Sequence, residues 1–307
     1  MENSQTVSYR TAADAVGSLD LSSQTILITG CNSGLGLETM RVLASRGAFI
    51  VALARTRSSA EDAMSKVRAH GLAVAGDLAD LHSVARAVKT IESMERKLDV
   101  IVASAGIVGS KDLVKKHGVE IQFLVNYLAH FALINALSSK IKDHTGRIVV
   151  VSSDSSMKQA PKEGIRFDDL SGDRTYSPFL FYGQSKLACS LYAMELSRRL
   201  ASRGIVVNSV HPGAVRGTGL NKNLGFPLNL ILKAASLFMK TVEEGAATQT
   251  YLAANPAAAT VSGRYWVDCH VAPGSKFLSD DTIATRLWDV SERIVDRVLR
   301  TEATDEK

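Results

Sequence analysis

From residue 25 onward the chain alternates short β-branched runs with longer stretches of helical periodicity, and this alternation limits the fold more than any other feature. The runs are Thr25–Thr29, Phe49–Ala54, Ala73–Ala75, Val100–Ala103, Arg147–Val151, Ile205–Val210 and Tyr265–Val267. Within them, stretches such as Ile148–Val151 are apolar at every position, the pattern of a strand buried on both faces. Buried strands joined by helices imply a parallel sheet covered on each side. We therefore expect an α/β fold: a single-domain Rossmann-type doubly wound parallel sheet of about seven strands with helices on both faces. No Pro/Ser-rich linker or internal repeat divides the chain, and its 307 residues suffice for one large core. The expected boundaries are a loosely held polar arm over 1–20, one domain over 21–300 and a polar tail over 301–307.

Charge and cysteine usage exclude several classes. The net charge is +5, but 36 Lys and Arg are interleaved with 31 Asp and Glu, so no nucleic-acid partner is expected. Three widely spaced cysteines form no CxxC motif, which argues against a disulfide framework or zinc site and fits a reducing compartment. The histidines show no HExxH pattern, so no metal is expected. The first twenty residues lack the apolar stretch of a signal peptide. The longest apolar candidate, Leu224 to Met239, is broken by Pro227, Asn229 and Lys233, and no run reaches the ~20 residues of a membrane helix. A cytoplasmic protein without stable membrane insertion is the expectation.

The first run leads into Thr29-Gly30-Cys31-Asn32-Ser33-Gly34-Leu35-Gly36 and then a helical pattern. Gly30 permits a tight turn out of the strand, Gly34 lets a pyrophosphate approach the backbone, and Gly36 lets helix and sheet pack closely. The N–H groups at the helix start then face phosphate. The second run ends Ala54-Arg55-Thr56-Arg57. A site for NAD(H) usually places an acid there to bind the ribose 2′-OH, whereas a 2′-phosphate needs cations. No acid occurs from residue 49 to 60, and Arg55, helped by Thr56 or Arg57, is suited to phosphate. NADP(H) is thus favoured over NAD(H); the plainer reading makes Arg55 and Arg57 solvated charges. Asp77, in Gly76-Asp77-Leu78, either accepts from the adenine amino group or caps the next helix.

Tyr182-Gly183-Gln184-Ser185-Lys186 opens a helical pattern that runs to Arg199. A spacing of four places the tyrosine and lysine on one face. A phenol with pKa ≈ 10 exchanges protons poorly at neutral pH, and a nearby ammonium favours its phenolate. Alone, such a pair is ordinary surface amphipathicity; the glycine-rich loop upstream makes it a catalytic candidate.

Taken together, these residues resemble the short-chain dehydrogenase/reductase superfamily, within it the retinol dehydrogenase and WW-domain oxidoreductase-like branch, over roughly residues 20 to 295. The resemblance rests on TGCNSGLG at 29–36, GDL at 76–78, VNYLAHFAL at 125–133, RIVVVSS at 147–153 and FDDL at 167–170. It continues in YGQSKLA at 182–188, HPGAV at 211–215, EEGA at 243–246, SGRYWVDC at 262–269 and the Leu287-Trp288 pair. It implies an oxidoreductase that interconverts an alcohol and a ketone or aldehyde. Tyr182 would exchange the proton, Lys186 would hold the nicotinamide ribose, and Ser153, rather than Ser152, would hydrogen-bond the substrate oxygen. Asn126 would anchor a water linking Lys186 to solvent; otherwise it is an exposed mid-helix residue. Ala105 and Gly106 would line the cofactor, and Pro212, Gly213 and Val215 would lie along the carboxamide.

The chain departs from the family pattern in three places. Ala103-Ser104-Ala105-Gly106 replaces Asn-Asn-Ala-Gly, which removes side-chain bonds that brace the sheet. Gly217 stands where a threonine is usual, with Thr218 one residue late. The gap from Ser153 to Tyr182 exceeds that of the smallest members. From Leu228 to Lys240, Asn229, Lys233, Ser236 and Lys240 form a thin polar stripe on an apolar helix: core, a lid over a lipophilic pocket, or a weak membrane contact. The expected partner is a small-molecule carbonyl or alcohol, and a homo-oligomer is compatible with the pattern. Two other functions remain open: reduction of a C=C bond on the same scaffold, and a non-catalytic NADP-binding sensor.

Overall fold

The computed structural model describes residues 9–109, 111–216 and 239–305. The segment 217–238, with most of the apolar stripe, Gly217 and Thr218, lies outside them.

Seven parallel strands form as the β-branched runs require: β1 (Thr25–Thr29), β2 (Phe49–Ala54), β3 (Gly71–Ala75), β4 (Val100–Ala103), β7 (Arg147–Val151), β8 (Val206–His211) and β9 (Tyr265–Val267). They lie in the order β9-β8-β7-β4-β1-β2-β3, in register from Thr25 opposite Phe49 and Ile26 opposite Val100. An eighth, antiparallel strand β10 (His270–Val271) pairs with β9 at the edge. A two-residue hairpin, β5 (Lys115–Lys116) with β6 (Val119–Glu120), stands outside this sheet. His117 and Gly118 turn it with φ of 56° and 80°, the left-handed pair that suits a two-residue hairpin.

Alternate side chains of the strands feed two cores. Leu27, Val51, Ile101, Ile148 and Val207 face one apolar layer. It is closed by α4 (Leu81–Glu92), α6 (Ala129–Ala136), α8 (Pro178–Arg199) and α11 (Asp281–Asp305). Ile26, Ile28, Ile50, Val102 and Val149 face the other, closed by α1 (Ala12–Val16), α2 (Gly34–Ser45), α3 (Arg57–Val67) and α10 (Ala247–Ala254). The remaining short helices are α5 (Ile121–Phe123), α7 (Ser155–Lys158) and α9 (Val242–Gly245). Because β1 lies between β2 and β4, the chain reverses its direction of sheet growth there, which opens a crevice at the carboxyl ends of those strands.

Two boundaries differ from expectation. Part of the supposed loose arm is α1, capped by Thr11 in a reciprocal box with Asp14. Its Ala12, Ala15 and Val16 are buried, and Asn255 Nδ2 donates to Ala15 O at 2.9 Å. Three small apolar side chains and one cap suffice because α10 offers an apolar wall, which polar composition alone does not reveal. At the other end α11 continues as helix through Asp305, into the expected tail. Leu287, Ile294 and Val298 bury one side of α11, and Arg199 stacks 4.0 Å over the Trp288 ring. Among the described residues no helix is long and apolar enough to cross a membrane.

Candidate active site

The glycine-rich loop forms the floor of a cleft of about 580 Å³. Gly30 leaves β1 at φ +67°, and a Cβ there would meet Ala105 Cα at 2.7 Å. On the first turn of α2, a Cβ at Gly36 would lie 2.3 Å from the Gly30 carbonyl oxygen. Only glycine fits either contact, so strand, loop and helix close to backbone distance. Ser33 caps α2 without a side-chain hydrogen bond, leaving the first-turn N–H groups for an anion. Gly30, Asn32, Ser33, Gly34, Leu35 and Gly36 all line the cleft, as do Asp77, Leu78, Ala105 and Gly106. This cradle fits a dinucleotide.

At the end of β2 the cleft meets Ala54, Arg55 and Thr56. Arg57 is paired with Glu61 at 2.8 Å, and the Thr56 hydroxyl caps α3 by accepting from Ser59 N at 3.1 Å. Arg55 is exposed and has no partner among the described residues. Asp77 is not the helix cap: that position belongs to Asp80, which accepts from His82 N. Asp77 instead accepts from Ala79 N at 3.0 Å within the turn. The cleft also recruits Ser59, Ser104, Ile107, Ile121 and Val125, which are not among the expected cofactor residues: Ser104 and Val125 lie in family motifs without a cofactor role assigned to them, and the other three lie in no motif.

A second pocket of about 110 Å³ adjoins this cleft and shares Leu35, Ser104, Gly106 and Ile107 with it. Its other walls are Val151, Ser152, Ser153, Tyr182, Lys186, Pro212, Gly213 and Val215. Tyr182 and Lys186 rise from successive turns of α8, with the lysine Nζ 5.9 Å from the tyrosine ring centre. Lys186 is buried and donates to Val151 O at 2.9 Å. Gly183 lets α8 pass the chain that leaves α7, since a Cβ there would lie 2.4 Å from Ala160 N. The two serines after β7 divide their tasks. Ser152 Oγ donates to the Lys186 carbonyl at 2.7 Å, tying strand to helix. Ser153 Oγ lies 3.2 Å from Asp154 Oδ1, and Asp154 is itself held by Lys158 at 2.6 Å.

Asn126 is 1% exposed and therefore not a solvent-facing polar residue. It sits in a π-helical turn, Leu124–Leu128, between α5 and α6. Its Oδ1 accepts from Ile107 N at 2.7 Å, and its Nδ2 donates to Ile107 O and Ser185 Oγ, each at 2.9 Å. Its carbonyl oxygen accepts from His130 Nδ1 at 3.0 Å and Cys189 Sγ at 3.2 Å. One turn onward, His130 Nε2 meets Thr29 Oγ1 at 2.8 Å. Burial pushes the His130 imidazole down to about 4, so it is neutral at physiological pH. Thr29 Oγ1 also accepts from Ser104 N and Ala105 N at 3.0 and 3.1 Å. Gln249 Nε2 adds contacts to Thr39 Oγ1 at 2.6 Å and Ser104 Oγ at 3.4 Å. Together these side chains brace the Ser104–Ala105 turn against β1, α6 and α10. His130 lies within the VNYLAHFAL motif, but a lone histidine in an apolar helix reads as core.

The comparisons with known proteins agree with this geometry. Residues 24–165 match the short chain dehydrogenase family. Over 303 residues the chain is 37% identical to Short-chain dehydrogenase TIC 32 B, chloroplastic, of Brassica napus, covering 94% of each. It is 38% identical to Retinol dehydrogenase 14 of Homo sapiens, over 89% of this chain and 86% of that one. With the WW domain-containing oxidoreductase of Gallus gallus it shares 33% identity over 93% of this chain and 71% of the relative. Among solved structures, an uncharacterized protein from Mycobacterium Paratuberculosis superposes with a TM-score of 0.74 at 29% identity, covering 92% of this chain and 97% of that one. The angucycline C-6 ketoreductase LanV with bound NADP superposes with a TM-score of 0.62 at 25% identity, over 80% and 94%. On the match of its whole domain, this chain belongs to the short-chain dehydrogenase/reductase family, in the retinol dehydrogenase and WW-domain oxidoreductase-like branch, and is an oxidoreductase of CH–OH or C=O groups.

Proposed function

We propose that the chain interconverts an alcohol and a ketone or aldehyde with NADP(H), with Tyr182 as the general acid/base. The observation that carries this reading is the shared wall between the two cavities: Ser153, Tyr182 and Lys186 line the small pocket that opens onto the glycine-floored cleft. The first-turn N–H groups of α2 would hold the pyrophosphate, Asp77 the adenine end and Arg55 the 2′-phosphate. A bound nicotinamide supplies or accepts the hydride. In the reducing direction the Tyr182 hydroxyl gives its proton to the carbonyl oxygen, leaving a phenolate beside the buried Lys186 ammonium. That ammonium stabilises the negative charge, and the two groups are attached one helical turn apart. The Ser153 hydroxyl, which donates to Asp154 Oδ1 at 3.2 Å, would turn its proton to the same substrate oxygen and orient it. Leu35, Ile107, Val151 and Val215 give the pocket an apolar lining, which suits a lipophilic substrate.

The test is NADPH absorbance against a panel of aldehydes and ketones. Tyr182→Phe removes one hydroxyl, so turnover should fall at least ~100-fold while folding and NADPH binding persist. Near-wild-type turnover by Tyr182→Phe on the best substrate would refute the mechanism.

A further inference from the structure

The hydrogen bonds around His130 have a single possible direction. The Asn126 carbonyl oxygen carries no hydrogen, so the proton must sit on His130 Nδ1, which donates to it at 3.0 Å. Nε2 of the neutral ring is then bare and accepts from the Thr29 hydroxyl at 2.8 Å. That hydroxyl oxygen in turn accepts from Ser104 N and Ala105 N. One buried imidazole thus joins the loop between β4 and the cofactor cleft to the π-helical turn. The same turn presents Asn126 to Ile107 and Ser185, next to Lys186. The Cys189 thiol is a second, weaker donor to the Asn126 carbonyl at 3.2 Å.

We propose that His130 is a positioning residue for the transfer step. It locks the 104–107 loop against the turn that carries Asn126, and so sets the separation between bound nicotinamide and the Tyr182–Lys186 pair. The inference rests on the reading of Tyr182 as acid/base. It follows that Thr29 and His130 act as one unit, although 101 residues separate them.

The experiment compares wild type, His130→Leu, His130→Asn and Tyr182→Phe, with concentrations set by titration of the cofactor site so that unfolded protein does not count. NADPH affinity is read by fluorescence. Turnover is read with 4-nitrobenzaldehyde as probe, using NADPH and NADPH deuterated at the transferred hydrogen. His130→Leu should weaken NADPH about tenfold, the effect of one buried hydrogen bond left unmade. It should also lower kcat about tenfold per site and enlarge the isotope effect, because transfer becomes slower than release. His130→Asn, whose amide can reach the Asn126 carbonyl from the Nδ1 position, should restore kcat and the isotope effect more than NADPH affinity. Unchanged affinity, kcat and isotope effect per site in His130→Leu, with only a lower Tm, would reduce His130 to fold support and overturn the inference. Should His130→Leu fail to fold, Thr29→Val takes its place: it removes the donor to Nε2, and undiminished NADPH affinity there overturns the inference equally. Tyr182→Phe separates the two readings, since its survival as an active enzyme indicts the acid/base role and not His130.

Discussion

Replacing Ala54 by Asp together with Arg55 by Ala should reverse the cofactor preference from NADPH to NADH. The two cofactors differ by a 2′-phosphate, and the end of β2 offers it one uncommitted cation. Arg57 is tied to Glu61 and the Thr56 hydroxyl caps α3, which leaves the Arg55 guanidinium. A charge-assisted hydrogen bond contributes roughly 1.5–3 kcal/mol, or a preference of about 10- to 150-fold in dissociation constant. Arg55→Ala alone should remove that preference without creating another. The added carboxylate at position 54 repels the phosphate and offers the NADH 2′-OH an acceptor. It also enters a position that is 4% exposed in the wild type, so the single variant is the control for lost stability. Turnover per site should change little, because Arg55 lines the large cleft and not the pocket of Tyr182. Since Arg55 is exposed, added salt should weaken NADPH binding more than NADH binding. Fluorescence titration with both cofactors at two ionic strengths reads all of this. Equal dissociation constants in the wild type, or tighter NADH, would show that Arg55 is only a solvated strand-end charge.

Leu287→Ala should cost about 2–5 kcal/mol, since Leu287 is 1% exposed in α11. A thermal melt should show a Tm lower by roughly 4 °C or more. NADPH affinity of the folded variant should be retained, because no α11 residue lines either cavity; weakened binding well below its Tm would contradict this. Acid should act through His130. Its folded-state value of about 4 lies below the ordinary 6.5, so the unfolded chain binds the proton first and stability falls as pH drops from about 6.5 toward 4. The full loss is on the order of 3 kcal/mol. Denaturant titrations at several pH values should therefore show the stability gap between wild type and His130→Leu narrowing on acidification, and parallel curves would reject the account.

What the sequence determined by itself are the features that depend on near neighbours. The β-branched runs announce buried parallel strands because each residue's burial is written into its own type. Gly30 and Gly36 announce a backbone cradle because only glycine tolerates the contacts there, and Gly34 because its φ of 54° favours glycine. The spacing of Tyr182 and Lys186 announces a shared face because helical geometry is the same everywhere. Tertiary structure decided the rest, since it depends on residues far apart in the chain. Asp80 rather than Asp77 caps α4, while Asp77 accepts from Ala79 N within the preceding turn. The polar N-terminal stretch becomes α1 because α10 presents an apolar wall. Ser152 Oγ turns toward the Lys186 carbonyl and its neighbour Ser153 Oγ toward Asp154 Oδ1, a division that two adjacent serines in the sequence do not announce. His130 reaches Thr29 only when α6 packs on the carboxyl end of β1. A hydrogen bond needs two partners at about 3 Å and a fixed angle, and no local pattern encodes a distance between segments that meet only on folding.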